Sequence, residues 1–109
     1  MRQDITEMHR SDVAGLPAGG ITTATGIEVQ WQNGALGRGA DRHEPNGAFV
    51  EGVIQAAIGR LEWYQTTSDG RFRCRENALA ITHLEEALHW LEARTAKREA
   101  RGVEGTHEA

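Results

Sequence analysis

The residues best equipped for chemistry in this 109-residue chain are arginines. Eleven of the 12 basic residues are arginine, and only Lys97 is lysine. In the run LEARTAKREAR, a helical spacing of about 100° per residue places Arg94, Lys97, Arg98 and Arg101 within an arc of about 100°. None of the four has an acidic neighbour three or four positions away inside the helix, although the chain carries 12 glutamates. Like charges at that spacing repel by roughly 0.2–0.5 kcal/mol per pair. Cations at a helix C-terminus complement its dipole, which explains some positive charge but not the absent acids. Guanidinium groups one turn apart suit a phosphorylated anion, which accepts two-point hydrogen bonds. The pattern predicts an anion site, built alone or with a neighbouring subunit.

A second group opens the same helix, in GRFRCRENALAIT. Arg73 and Arg75 stand beside a helix N-terminus, where the dipole favours acids, so an anion or a partner's glutamates are expected to offset them. Asn77 shares a stripe with Ile81, Leu84 and Leu88 and should be partly covered, with a hydrogen-bond partner across the hairpin. An amide beside an aromatic such as Phe72 or Tyr64 is also suited to reading a purine edge while the ring stacks on the base. Arg42 and His43 lie in the glycine-rich loop GALGRGADRHEPNG, which lacks the spacing and the Lys-Ser/Thr of a phosphate-binding P-loop but can close over a ligand.

Catalytic sets are weak. His83 and His89 are six apart and fall on different faces, so no metal pair is expected. Glu85 and His89 at i, i+4 read as a surface pair, and Cys74 as a covered hairpin cysteine, despite its flanking arginines. No catalytic residue, metal or cofactor is expected.

These side chains need elements to position them. Eight of the 13 glycines lie between Gly15 and Gly47, so a glycine-punctuated first half precedes a helical second half. Residues 1–20 show no sustained period and read as a variable arm, with LPAGG as loop. Ile27, Val29 and Trp31 alternate with Glu28, Gln30 and Gln32 as in a half-buried strand, with Asn33-Gly34 as its hairpin turn and the threonines 22, 23 and 25 in a strand beside it. From Asn46, a plausible N-cap, the period becomes helical, with Val50, Val53, Ile54, Ala57, Leu61 and Tyr64 on one side. That helix should end before Ser68-Asp69-Gly70. A longer one should follow over about residues 74–100 with the stripe Cys74, Ala78, Ile81, Leu84, Leu88 and Leu91, stopped by Gly102.

The predicted class is α+β: one domain, with a small antiparallel β element and loop over 21–45, an antiparallel helical hairpin over 46–102 and a mobile tail over 103–109. So small a core stabilises little, and Trp63 and Trp90 lie off the main stripes, which predicts a homo-oligomer. The net charge of −4 argues against bulk DNA or RNA binding. No apolar run approaches the roughly 20 residues of a membrane span. A single cysteine and no apolar leader suit a reducing cytosol.

Three segments, WQNG, NGAFVEGVIQAAIGRLEWYQ and FRCRENALAITHLEEALHWLEARTAKREARGVEGTH, together resemble phage Thoeris anti-defence proteins of the cyclic-nucleotide sponge type. The helical part is similar to the hairpin domain they share with an anti-CBASS sponge. The resemblance covers about residues 27–107 and rests on CRENALAI followed by RT..RE.RGVEGT. It implies a non-enzymatic protein that sequesters glycocyclic ADP-ribose signals made by TIR-domain immune proteins, so that the effector NADase stays inactive. It implies assembly as dimers or hexamers, some of which also bind cyclic di- or trinucleotides, in the host cytosol. By the same resemblance, Asn77 with Phe72 or Tyr64 would hold the base, Arg94 and Arg98 the diphosphate, and Arg42 would close the site. Two rivals remain: an enzyme degrading the same signal, and a protein-binding module whose arginine face meets acidic residues.

Overall fold

A computed structural model describes residues 3–108. The chain divides into two compact units, one of residues up to Phe49 together with the segment from Arg101 onward, the other of Val50–Ala100. The first holds an antiparallel meander of β1 (Thr6–Ser11), β2 (Pro17–Ala24) and β3 (Ile27–Asn33), in the order β1-β2-β3. The second is a hairpin of α1 (Val50–Gly70) and α2 (Arg75–Ala100). The α+β class and its element order match the sequence reading.

Several boundaries do not. The segment read as an arm holds β1 and the first half of β2, while Met1 and Arg2 lie outside the described residues. Every residue of β1 is exposed, so burial imposed no alternation that a reader could detect. The β1–β2 connection is set by Asp12, whose carboxylate accepts the amides of Ala14 at 2.8 Å and Leu16 at 3.0 Å. The tight β2–β3 turn is Thr25-Gly26, not Asn33-Gly34, because Ala24 pairs with Ile27. Gly26 takes φ +75° there, a conformation glycine adopts at little cost.

Asn46 caps no helix. Its side chain accepts the Asn33 amide at 2.8 Å and donates to the Asn33 carbonyl at 3.0 Å, while its own amide donates to Gln32 Oε1 at 2.9 Å. Ala48 then forms a parallel bridge to Trp31. The chain is thus tied to the free edge of β3 until the helix starts at Val50, four residues later than expected. On the sheet, the Trp31 indole N–H donates to Thr22 Oγ1 at 2.8 Å, and Thr22 is buried.

The segment after α2 meets the glycine-rich loop: the Gly37 amide donates to the Gly105 carbonyl at 2.7 Å, and Arg38 donates to the Gly102 carbonyl. Ala109 lies outside the described residues.

In the hairpin, helical backbone gives way at Thr67–Asp69, with Ser68 and Asp69 left-handed at φ 51° and 58°. Gln65 braces the turn, accepting the Cys74 amide at 3.0 Å and donating to the Cys74 carbonyl at 3.1 Å. The packed stripe of α1 is Glu51, Ile54, Ile58, Leu61 and Gln65, with Ile58 its buried residue. Val50, Val53, Ala57 and Tyr64 lie exposed, one helical position off the seam. On α2 the half-buried stripe runs from Asn77 through Ile81, Leu84, Leu88 and Leu91 to Arg98. Cys74 and Ala78, expected on it, are exposed. The turn places Cys74 before the helix, held through its backbone by Gln65.

Candidate functional site

The hairpin carries five of the six predicted site residues, and its geometry sorts them into two groups. Tyr64 lies near the end of α1, Phe72 in the turn and Asn77 in the first turns of α2. All three therefore sit at the end braced by Gln65. Arg94 and Arg98 belong to the opposite end of α2. Seventeen residues separate Asn77 from Arg94, a rise of about 26 Å along one helix. One copy of the hairpin therefore cannot bring the base-reading group and the arginine pair onto a single compact ligand.

At the turn end, Tyr64 is part of a cation–aromatic cluster. Its ring meets that of Trp63 edge-on, with centroids 5.3 Å apart, and the Arg60 guanidinium lies 4.4 Å from the Trp63 ring and 4.9 Å from the Tyr64 ring. Arg60 and Tyr64 are four apart on the helix, which is why the stem of one reaches the ring of the other. Sequence reading missed Arg60, although its i, i+3, i+4 spacing to Trp63 and Tyr64 was visible. Phe72 is exposed, with Arg71 against its ring at 5.6 Å. Arg73 donates to the Gln65 carbonyl at 3.1 Å and so serves the turn.

Asn77 is half-buried, as its place on the stripe requires, but the expected hydrogen bond across the hairpin is absent. Its backbone amide donates to Cys74 Sγ at 3.4 Å, while its carboxamide has no partner among the described residues. A donor and an acceptor are left at the end of the hairpin that also carries Tyr64 and Phe72.

At the other end, Arg94 is exposed and Arg98 half-buried, one turn apart. Arg98 continues the packed stripe, which holds its stem while its head stays polar. Lys97 and Arg98 form the basic last turn of α2.

Arg42 belongs to the sheet unit and is engaged by Glu104: Nη1 lies 2.6 Å from Oε2 and Nη2 3.0 Å from Oε1. A two-point carboxylate occupies the guanidinium fork, the position that phosphate oxygens of a ligand would take. His83 pairs with Glu86 at 3.5 Å, and no Glu85–His89 pair forms among the described residues. Among those residues no group of three potential metal ligands comes together. No described helix is long and apolar enough to cross a membrane.

The apolar surface of the hairpin is extensive for so short a chain. Trp90 is 77% exposed, Trp63 48% and Val50 51%. Trp63 and Trp90 do lie off the packed seam, as their spacing predicted.

Residues 24–96 match the family model described as the Acb2/Tad1 hairpin domain. The match contains Tyr64, Phe72, Asn77 and Arg94 and stops two residues short of Arg98. A protein of Bacillus phage SBSphiJ7 described as Thoeris anti-defense 1 is 58% identical over 66 residues, 61% of this chain. That similarity spans 44% of the relative's length.

Proposed function

This chain belongs to the Acb2/Tad1 hairpin family, and on that footing we propose that it is a non-catalytic anti-Thoeris sponge. It binds glycocyclic ADP-ribose, with cyclic di- and trinucleotides as a second ligand class, and keeps the signal from its effector. The observation that carries this reading is the Arg94–Arg98 pair, two guanidinium forks one helical turn apart in the basic end of α2. A diphosphate presents oxygens to both forks, while Asn77 and the ring of Tyr64 or Phe72 take the base.

Because about 26 Å separates Asn77 from Arg94 along one helix, this reading gives the two roles to different copies. Two hairpins packed side by side in opposite directions bring the turn end of one against the arginine end of the other. The exposed Val50, Val53, Trp63 and Trp90 supply apolar surface for that pairing, and exposed patches of this kind mark association surfaces. Arg42, in the sheet unit, takes ligand phosphate in exchange for the Glu104 carboxylate. A sponge needs enclosure and slow release rather than transition-state stabilisation, so it has no use for a base or nucleophile near the arginines.

The test is recovery of the ligand. Protein incubated with glycocyclic ADP-ribose and then heat-denatured releases the signal unaltered; a cleaved product overturns the sponge in favour of an enzyme. Unchanged calorimetric binding in Arg94→Ala and Arg98→Ala favours the second reading, in which the arginine face meets an acidic protein.

A further inference from the structure

The sheet contains an irregularity that the hairpin site does not use. His9 pairs with Gly20 and Ser11 with Pro17, so the single residue Arg10 of β1 faces two residues of β2, Ala18 and Gly19. Two residues opposite one is a β-bulge, a feature that re-aims side chains and recurs beside binding sites. Here it depends on Gly20, which has φ +140° and whose absent Cβ would stand 2.2 Å from the Met8 carbonyl oxygen. Any side chain at position 20 would drive β1 and β2 apart.

Beside the bulge lies a cleft of about 400 Å³, lined by Arg10, Gly19, Gly20, Gln30, Asn33 and Asn46 among others. That volume falls within the range of about 300–1,000 Å³ typical of small-molecule sites. Its polar groups are largely unspent. Arg10 meets only Met8 Sδ at 3.7 Å and, among the described residues, no carboxylate. The carboxamides of Gln30 and Asn33 have no hydrogen-bond partner among the described residues, whereas that of Asn46 is consumed by the Asn33 backbone. The cleft therefore offers the Arg10 guanidinium and the free Gln30 amide on the face they share with Met8, the Asn33 amide standing on the opposite face of β3, and no acid lines it.

We propose that this cleft is a second small-molecule site, built wholly from the sheet unit, for an organic anion with a planar hydrogen-bonding edge. The guanidinium takes a phosphate or carboxylate in two-point fashion. The Gln30 carboxamide presents a donor beside an acceptor, the complement of an amide or purine edge.

The test is an NMR titration of the isotope-labelled full chain with adenosine 5′-monophosphate, adenosine and inorganic phosphate as separate probes. The monophosphate is expected to shift the backbone amides of Gly19, Gly20 and Ile21 and the side-chain amide of Gln30, saturably. Arg10→Ala weakens it at least tenfold, and Gln30→Ala several-fold, with melting temperatures unchanged, since both side chains are exposed. The same shifts persist in the Arg94→Ala/Arg98→Ala variant, which separates this site from the hairpin. Absence of shifts at the cleft overturns the site, as does undiminished affinity in Arg10→Ala. Adenosine binding as well as the monophosphate overturns the anion role of Arg10, and phosphate alone binding as well overturns the planar edge.

Discussion

Arg42 and Glu104, 62 positions apart in sequence, meet in a two-point ion pair at 2.6 and 3.0 Å. The pair joins the glycine-rich loop to the segment that follows α2, alongside the Gly37–Gly105 backbone bond. It also fills the guanidinium fork that a ligand anion would use. The pair is partly exposed, with side-chain accessibilities of 42% and 25%, so its contribution to stability is modest, at most about 1 kcal/mol.

Glu104→Gln should therefore leave the melting temperature within a few degrees of the parent but speed hydrogen exchange at the Gly37 amide. If Arg42 exchanges its carboxylate for a ligand, the same variant binds glycocyclic ADP-ribose more tightly by calorimetry. Arg42→Ala produces the faster exchange and a loss of affinity.

Truncating either arginine of the helical pair removes charge-assisted bonds worth about 1.5–3 kcal/mol each, roughly a 10- to 150-fold loss of affinity. Calorimetry on Arg94→Ala and Arg98→Ala reads it. Arg98→Ala should also lower the melting temperature slightly, because its stem extends the packed stripe of α2; Arg94→Ala, fully exposed, should not.

A site shared between copies is detected by complementation. Asn77→Ala and the Arg94→Ala/Arg98→Ala variant each bind poorly alone. Unfolded together and refolded as an equal mixture of dimers, they should recover about one quarter of the parental sites, because half the dimers are mixed and each mixed dimer regenerates one of its two sites. No recovery would place both functions on one chain.

Trp90 is the most exposed large aromatic residue on the hairpin, at 77%. Trp90→Glu is expected to shift the species seen by light scattering toward the monomer while leaving the circular dichroism spectrum helical. A mass unchanged from the parent would exclude this face from assembly.

Ser68 has φ 51° without being glycine, a conformation that costs an L-residue roughly 1–2 kcal/mol. Ser68→Gly should relieve most of this and raise the melting temperature by a few degrees, since the added unfolded-state freedom offsets only part of the gain. A lowered melting temperature would mean that the Ser68 side chain supports the turn.

The hairpin was legible because its signals are local. The break at Ser68-Asp69-Gly70, the long Ala/Leu/Glu-rich second helix and the stop near Gly102 all follow from propensity and glycine placement within a few residues. Arg94 and Arg98 were likewise visible as an acid-free stripe. The face of α1 was read in part: Ile54 and Leu61 lie on the seam as expected, but Val50, Val53, Ala57 and Tyr64, apolar too, lie off it, and Ile58 is its buried residue. A chain with two apolar faces does not say which one meets its own second helix. β1 was invisible for the opposite reason: it is exposed throughout and has no buried side to give it a period of two.

The sequence by itself determined the α+β class, the two helices, the family resemblance and the identity of the arginines, because composition, spacing and capping act over a few residues. Tertiary structure alone decided that Asn46 ties the chain to β3 instead of starting a helix. It alone paired Arg42 with Glu104, left the Asn77 carboxamide without a partner among the described residues and set Asn77 and the arginine pair at opposite ends of one hairpin. Each of these depends on which backbone groups already have partners and on which distant segment arrives to supply one, and no local pattern encodes that.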